Sequence, residues 1–374
     1  MSDAKVVEKV EPPKERIVSV DALRGFDMFW IVGGSYFFTV IFTATGGKLK
    51  DWLVPQFDHA AWQGFHFYDL IFPLFVFVVG MSVVFSLGRL VKTKGKSAAY
   101  KRLIRRFVIL YLLGIIYYGG ISKGIEGVRL LGVLQRLALT YLFAGILFIH
   151  LDLRGMIIAF FTILLAYWAF LSFVPVPGVG HVSFAEGENW TNWIDIHYLP
   201  FFKWDGQWDP EGILSTLPAI GSAMLGVFAS LILLDKKTEP MKKVWIYVGG
   251  GVVMVILGYL WGLQFPVIKK IWTSSYVLVA GGYSLILLGS FYYIMDVKKI
   301  RKWAQPFVWI GMNPITIYLA MAWVNFRKIA AAIGGGEGFW HNNPFGSVLT
   351  VTVFILLVFG FVGYLHKKKI FIRI

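Results

Sequence analysis

The chain is 374 residues long, 57% hydrophobic and only 15% charged, with a mean hydropathy of +0.67. A soluble domain is nearer half apolar and a quarter charged, so a soluble globular fold is excluded. The net charge of +15 does not point to nucleic acid, because Lys and Arg sit in alternate loops and form no basic face beside a reading module. With no cysteine, disulfides, thiolate metal sites and cysteine nucleophiles are also excluded.

Residues 1–16 are polar and contain Glu11-Pro12-Pro13-Lys14-Glu15, which predicts a mobile cytoplasmic tail. The first apolar run is too long for a cleavable leader. Ten apolar blocks follow, at about 25–44, 69–91, 106–121, 130–150, 156–174, 212–234, 244–263, 276–295, 306–325 and 345–365. Most reach the roughly 20 residues needed to cross a bilayer as a helix. Block 106–121 is short, and 306–325 is interrupted by Asn313-Pro314. An eleventh span near 327–340 is opposed by Gly334-Gly335-Gly336. The expected fold is an all-α, polytopic transmembrane helical bundle of about ten spans, forming one domain over 17–374.

The basic clusters Lys92 to Arg106, Lys236 to Lys243, Lys298 to Lys302 and Lys367 to Arg373 fall in alternate loops. Positive loops face the cytoplasm, so both termini are expected there, with 45–68 and 175–211 as the large outer loops. The excess positive charge suits anionic lipid headgroups. No internal repeat is visible, which argues against an inverted-repeat transporter.

Polar residues at membrane depth are costly and mark function by default. In chain order, Asp21, Arg24 and Asp27 recur every three residues at the start of the first block. They form either an internally neutralised triplet or a face on which Arg24 meets a cytosolic anion. His59 lies just outside the second block, near Asp58, His66 and Asp69. If 58–69 is helical, His59, His66 and Asp69 share a face. His59 is then a general base oriented by a carboxylate, or simply a histidine bonded to a loop carbonyl. Asp69 orients the ring or caps its helix. No recognised metal-ligand spacing accompanies them.

Gln135 and Arg136 lie near the head of the fourth block; Arg136 requires either a carboxylate partner or a bound anion. The loop 175–211 holds Trp190, Trp193, Trp204 and Trp208 among carboxylates, which reads as a sugar grip or as an interfacial aromatic belt. Gly249-Gly250-Gly251 reads as close helix packing. Trp272-Thr273-Ser274-Ser275-Tyr276 sets hydroxyls at the mouth of the eighth block, and Gly311-Met312-Asn313-Pro314 breaks a helix at depth.

At these residues the chain resembles the heparan-alpha-glucosaminide N-acetyltransferase family of multispan membrane acyltransferases. The resemblance is carried, in order, by Val20-Asp21-Ala22-Leu23-Arg24-Gly25, by His59-Ala60-Ala61-Trp62-Gln63-Gly64 with Asp69-Leu70-Ile71-Phe72-Pro73, and by Val128-Arg129 with Gly132-Val133-Leu134-Gln135-Arg136-Leu137. It continues through Asp209-Pro210-Glu211-Gly212-Ile213-Leu214, Trp272-Thr273-Ser274-Ser275-Tyr276-Val277 and Gly311-Met312-Asn313-Pro314. It implies acetyl transfer from cytosolic acetyl-CoA to an amino sugar or glycan across the membrane. The family's catalytic histidine falls on His59, and its functional asparagine in the first span falls on Ser35. The expected catalytic set is His59, Asp69 and Asn313, the last with the hydroxyls near Ser275 as candidate oxyanion donors. Arg24, Gln135, Arg136 and Ser275 are expected on the acetyl-CoA path, without a metal. The N-terminal lumenal domain of the animal enzymes has no counterpart here, so the expected setting is a bacterial inner membrane. A homodimer is left open. The rival readings are an O-acyltransferase of cell-wall glycans and a transporter of a sugar or lipid-linked sugar.

Overall fold

The computed structural model describes residues 17–333 and 344–371, and within them the chain is helical, with no β-strand. The expected tail 1–16 and the glycine run at 334–336 lie outside the described residues. The helices are α1 (Val18–Phe29), α2 (Ser35–Thr45), α3 (Gly47–Leu53), α4 (Ile71–Tyr117), α5 (Val133–His150), α6 (Leu153–Phe173) and α7 (Trp190–Tyr198). There follow α8 (Thr216–Leu234), α9 (Pro240–Gly262), α10 (Ser274–Tyr292), α11 (Gln305–Met312), α12 (Pro314–Trp323), α13 (Phe326–Ile333) and α14 (Pro344–Lys367).

Among the described residues, eight helical stretches are long and apolar enough to cross a membrane. The expected block 69–91 and most of 106–121 fall together within one of them, Phe67–Tyr117. At 1.5 Å per residue its 47-residue core, α4, would extend about 70 Å, over twice the hydrocarbon thickness. It does not run straight. Gly95 (φ 80°, ψ 176°) breaks it in a conformation that side chains disfavour. Leu87 and Leu103, each eight residues from Gly95, both close on Gly145 of α5. The helix is therefore a hairpin whose two arms flank α5. Block 306–325 appears as α11 and α12, short helices broken at Asn313, whose φ of −133° is not helical.

Small residues set the closest approaches. A Cβ on Gly25 of α1 would lie 1.6 Å from the Phe307 carbonyl oxygen, and one on Gly311 would lie 1.9 Å from the Asp21 carbonyl oxygen. The glycines of the two sequence motifs thus face each other where α1 crosses α11, and any side chain would push the helices apart. Gly251 and Gly282 make the equivalent contact between α9 and α10. Apolar side chains on α6 and α9, such as Ile158, Phe161, Val253 and Leu260, remain exposed, as a lipid-facing surface requires.

Candidate active site

His59 opens onto a cavity of about 360 Å³. Its walls include Trp62, Arg129, Trp204, Glu211 and Lys269. Residues of both expected outer loops, 45–68 and 175–211, therefore meet at one cavity.

The segment 58–66 is not helical, contrary to the expectation of a shared helix face; regular structure resumes with a 3₁₀ turn at Phe67–Leu70. His59 and Asp69 meet because the loop folds back on the carboxylate. Asp69 is 1% exposed, and its Oδ2 accepts the backbone N–H groups of Ala60 (3.1 Å) and His66 (3.0 Å). That leaves Oδ1 for the imidazole Nδ1, 2.8 Å away. A carboxylate accepts only, so Nδ1 carries the proton and Nε2 keeps its lone pair. His59 itself is 47% exposed, so a solute can reach it. Its ring stacks on Tyr68 at 4.7 Å. Ser35 lies beside the Tyr68 hydroxyl. The first span kinks at Gly33 (φ 151°), two residues before Ser35. His66 instead bonds the Asp58 carbonyl.

A second loop completes the cluster. Gly64 N–H donates to the Val267 carbonyl (2.9 Å), and Gln63 pairs with Ile268 as an isolated bridge. This carries Lys269 to His59, with Nζ 2.8 Å from Nδ1, 3.0 Å from Nε2 and 3.5 Å from Asp69 Oδ1. Burial draws the Lys269 ammonium below its usual pKa, with Asp69 and Glu211 working against it. The adjacent Lys270 is held by Glu186 and Asp205, both at 2.9 Å.

Hydroxyls of the segment 273–276 act on this loop and on Asp69. Thr273 Oγ1 accepts the Ile268 N–H, Ser275 Oγ donates to the Pro266 carbonyl (3.1 Å), and the Tyr276 hydroxyl donates to the Asp69 carbonyl (2.8 Å). Ser275 thus shapes the loop that carries Lys269.

The back wall is a buried ion cluster. Arg129 binds Asp209 through both ends of its fork, at 2.8 and 2.6 Å, and Glu211 at 2.5 Å. Its guanidinium lies 4.5 Å from the Tyr118 ring and 5.0 Å from that of Trp204. Burial raises the pKa of Glu211, against the pull of Arg129 and Arg136. Burial likewise pushes Asp195 up to about 6, although it accepts the Ile213 N–H at 2.9 Å. The outer-loop carboxylates are thus largely engaged within the protein, and of the four loop tryptophans only Trp204 lines this cavity.

Arg136 lies in the first turn of α5, fully buried, and donates to the Gly212 carbonyl (3.3 Å) and the Ser215 hydroxyl. Of the carboxylates near it, Asp209 and Glu211 are bonded to Arg129, and Asp195 accepts the backbone N–H groups of Asp209 and Ile213. Gln135 donates to the Arg129 carbonyl (3.0 Å), fixing that loop. Asn313 does not join His59; its Nδ2 donates to the Ile370 carbonyl (2.9 Å).

The residues flanking Asn313 line a second cavity, of about 340 Å³, with Arg24, Arg102, Arg106 and Ser82. Arg24 approaches Asp21 at 3.6 Å and the Gly311 carbonyl at 3.5 Å. Helices α4, α5 and α12 line both cavities. Phe72 and Phe75, Val133 and Leu137, and Tyr318 and Ile315 divide between the His59 cavity and the arginine cavity. These pairs are three or four residues apart, about 5 Å of helix, so the two cavities lie end to end along the same helices.

The fold and site together define an all-helical membrane protein with an aspartate-oriented histidine in an accessible cavity, an arrangement suited to proton or group transfer. A model of the catalytic region of heparan-alpha-glucosaminide N-acetyltransferase matches residues 16–259, and the chain belongs to that family. It is similar to heparan-alpha-glucosaminide N-acetyltransferase of Homo sapiens, 29% identical over 97% of this chain, and to that of Mus musculus, 26% identical over 97%. The aligned regions span 60% and 62% of those proteins.

Lys269 and Arg129 are the site residues that sequence reasoning missed as chemistry. Both stand in loops, where a basic residue reads as ordinary surface charge. The Val128-Arg129 and Asp209-Pro210-Glu211 segments were the available signal, since they turn out to be ion partners.

Proposed function

We propose that the protein is a transmembrane acetyltransferase that moves an acetyl group from cytosolic acetyl-CoA to an amino sugar or glycan at the opposite membrane face. The observation that supports this best is the pair of abutting cavities. One offers three arginines, which suit the phosphates of CoA. The other offers His59. The apolar pairs between them suit a thin, largely uncharged arm that carries a thioester from one to the other.

At the thioester, His59 has the tautomer needed for either of two routes. Nε2 takes the proton from the acceptor amine as the amine attacks, or it carries the acetyl group itself before passing it on. Glu211 and Asp205 line the same cavity but are ion-paired with Arg129 and Lys270, so the acceptor amine enters beside Lys269 in its neutral, nucleophilic form. In this reading the basic loops and both termini are cytoplasmic, and 45–68 and 175–211 face outward.

The test is His59→Ala in purified protein. Turnover of acetyl-CoA with glucosamine as acceptor should fall by about 10²–10⁴-fold, the usual cost of losing a general base, or further if His59 is the carrier. Binding of acetyl-CoA should persist, because its phosphates are held in the other cavity. Turnover near that of the parent would end this assignment. A screen of amino sugars and hydroxyl-bearing glycans on the same protein separates N- from O-transfer.

A further inference from the structure

The ammonium of Lys269 lies almost equally close to both ring nitrogens of His59, at 2.8 and 3.0 Å. The two nitrogens of an imidazole flank a single C–H. An atom this close to both of them in the ring plane would overlap that C–H. Lys269 therefore sits over the ring face, and the in-plane lone pair of Nε2 stays open toward the cavity. Lys269 is not a general surface lysine: its side chain is 19% exposed, and its loop is fixed by the Gln63–Ile268 bridge and by Thr273 and Ser275. Lys270, one residue on, is neutralised by two carboxylates of its own. Lys269 shares its carboxylate, Asp69, with the imidazole.

We propose that Lys269 is a catalytic residue, the cation that stabilises the negative charge developing on the acetyl oxygen during transfer. The inference rests on the acetyltransferase reading of the same cavity. In direct transfer the acceptor nitrogen forms a bond to the thioester carbonyl carbon, and the C=O π pair moves onto oxygen. His59 Nε2 takes the proton released from the attacking amine. The C–S bond then breaks, the oxygen pair re-forms C=O, and the sulfur leaves with the proton from His59. The products are an amide and free thiol. A carbonyl attacked by an amine that is hydrogen-bonded to Nε2 can turn its oxygen to the side of the ring where the ammonium lies, 3.0 Å from the same nitrogen. The charge on that oxygen is absent in the bound thioester and present only on the way to product, so a cation aimed there lowers the barrier without tightening ground-state binding. Asn313, the sequence-based candidate for this task, is occupied at the Ile370 carbonyl beside the other cavity.

The experiment compares Lys269→Met, Lys269→Gln and Lys269→Arg with His59→Ala, all purified and assayed at saturating acetyl-CoA and glucosamine, with acetyl-CoA affinity measured on each. Lys269→Met and Lys269→Gln should lose about 10²–10³-fold in kcat, the usual cost of removing one oxyanion donor, with acetyl-CoA affinity within about threefold of the parent. Lys269→Arg should recover at least about tenfold of that loss, because it restores the cation and not the shape. If Lys269→Met does not accumulate, the ratio of Lys269→Arg to Lys269→Gln decides the same point. Neutral variants with parental kcat beside an inactive His59→Ala overturn the role of Lys269 and leave the acetyltransferase reading intact. Equal losses in the arginine and glutamine variants also overturn it. A parent protein that does not turn over acetyl-CoA overturns both.

Discussion

Replacing Asp69 by asparagine isolates what the carboxylate does, because size and burial barely change. In the native site one oxygen is committed to the backbone N–H groups of Ala60 and His66 and the other to His59 Nδ1. An asparagine has one oxygen and one NH₂. The two backbone donors can be satisfied only by the oxygen, so the NH₂ must turn toward His59. Nδ1 then becomes an acceptor, the ring proton moves to Nε2, and the lone pair that faces the cavity is lost. The loop stays closed, so acetyl-CoA binding and folding should be largely retained. The chemical step should fall by about 10³–10⁴-fold, as expected when a catalytic imidazole is held in the wrong tautomer. Asp69→Ala should add a stability loss of about 1–3 kcal/mol for the backbone donors left without a partner. Single-turnover acetyl transfer to glucosamine, with thermal unfolding in detergent on the same samples, separates the two effects. An Asp69→Asn protein that transfers acetyl within about threefold of the parent would refute the tautomer argument.

Three further outcomes follow from the geometry. Arg24→Gln and Arg106→Gln should weaken acetyl-CoA binding about tenfold or more each, the equivalent of a charge-assisted contact of about 1.5–3 kcal/mol, and calorimetry showing unchanged affinity in both would remove the phosphate role of that cavity. In intact cells, an impermeant thiol reagent should label a cysteine placed at Gly187 and spare one at Thr238; the reverse pattern would invert the topology. Asp195, buried with its pKa raised to about 6, holds a proton more tightly folded than unfolded. Its contribution to stability is therefore present below about pH 4 and lost as pH rises through about 6, on the order of 3 kcal/mol. Asp195→Asn should flatten that part of the pH profile of thermal unfolding, and an identical profile would count against the burial argument.

Composition and block length made the membrane class and helical architecture legible, because each helix must satisfy its own backbone in lipid. They also showed the two arms of α4, as the blocks 69–91 and 106–121 on either side of the basic cluster Lys92 to Arg106, but not that helix continues up to a turn as tight as that at Gly95. His59 was legible through its motif, and Asp69 through its position ten residues on, but their contact depends on an irregular loop and not on a helix face. Lys269 was invisible because 210 residues separate it from His59 and no periodicity links two loops. Arg136 and Gln135 were legible as costly residues; their partners, Gly212, Ser215 and the Arg129 backbone, were not. The hydroxyls near Ser275 read as oxyanion donors, yet Thr273, Ser275 and Tyr276 bond backbone groups of their own loop and of Asp69, and Ser274 bonds the Leu164 carbonyl.

The position of His59 in a loop follows from what lies beneath it. A base within one of the spanning helices would be shielded from a bulky, hydrated acceptor; a base in an unanchored loop would lack a fixed tautomer. Here the loop is pinned at its far end by a carboxylate on the first turn of a spanning stretch and laterally by the Gly64–Val267 hydrogen bond. The apolar residues directly below, Phe72, Val133 and Tyr318, are within about one helical turn of Phe75, Leu137 and Ile315 in the arginine cavity. The lining residues that adjoin the two cavities on these helices are mostly apolar, which suits an uncharged acyl-bearing arm. If the proposed transfer holds, this short interval is what would bring a thioester bound in the arginine cavity within reach of His59.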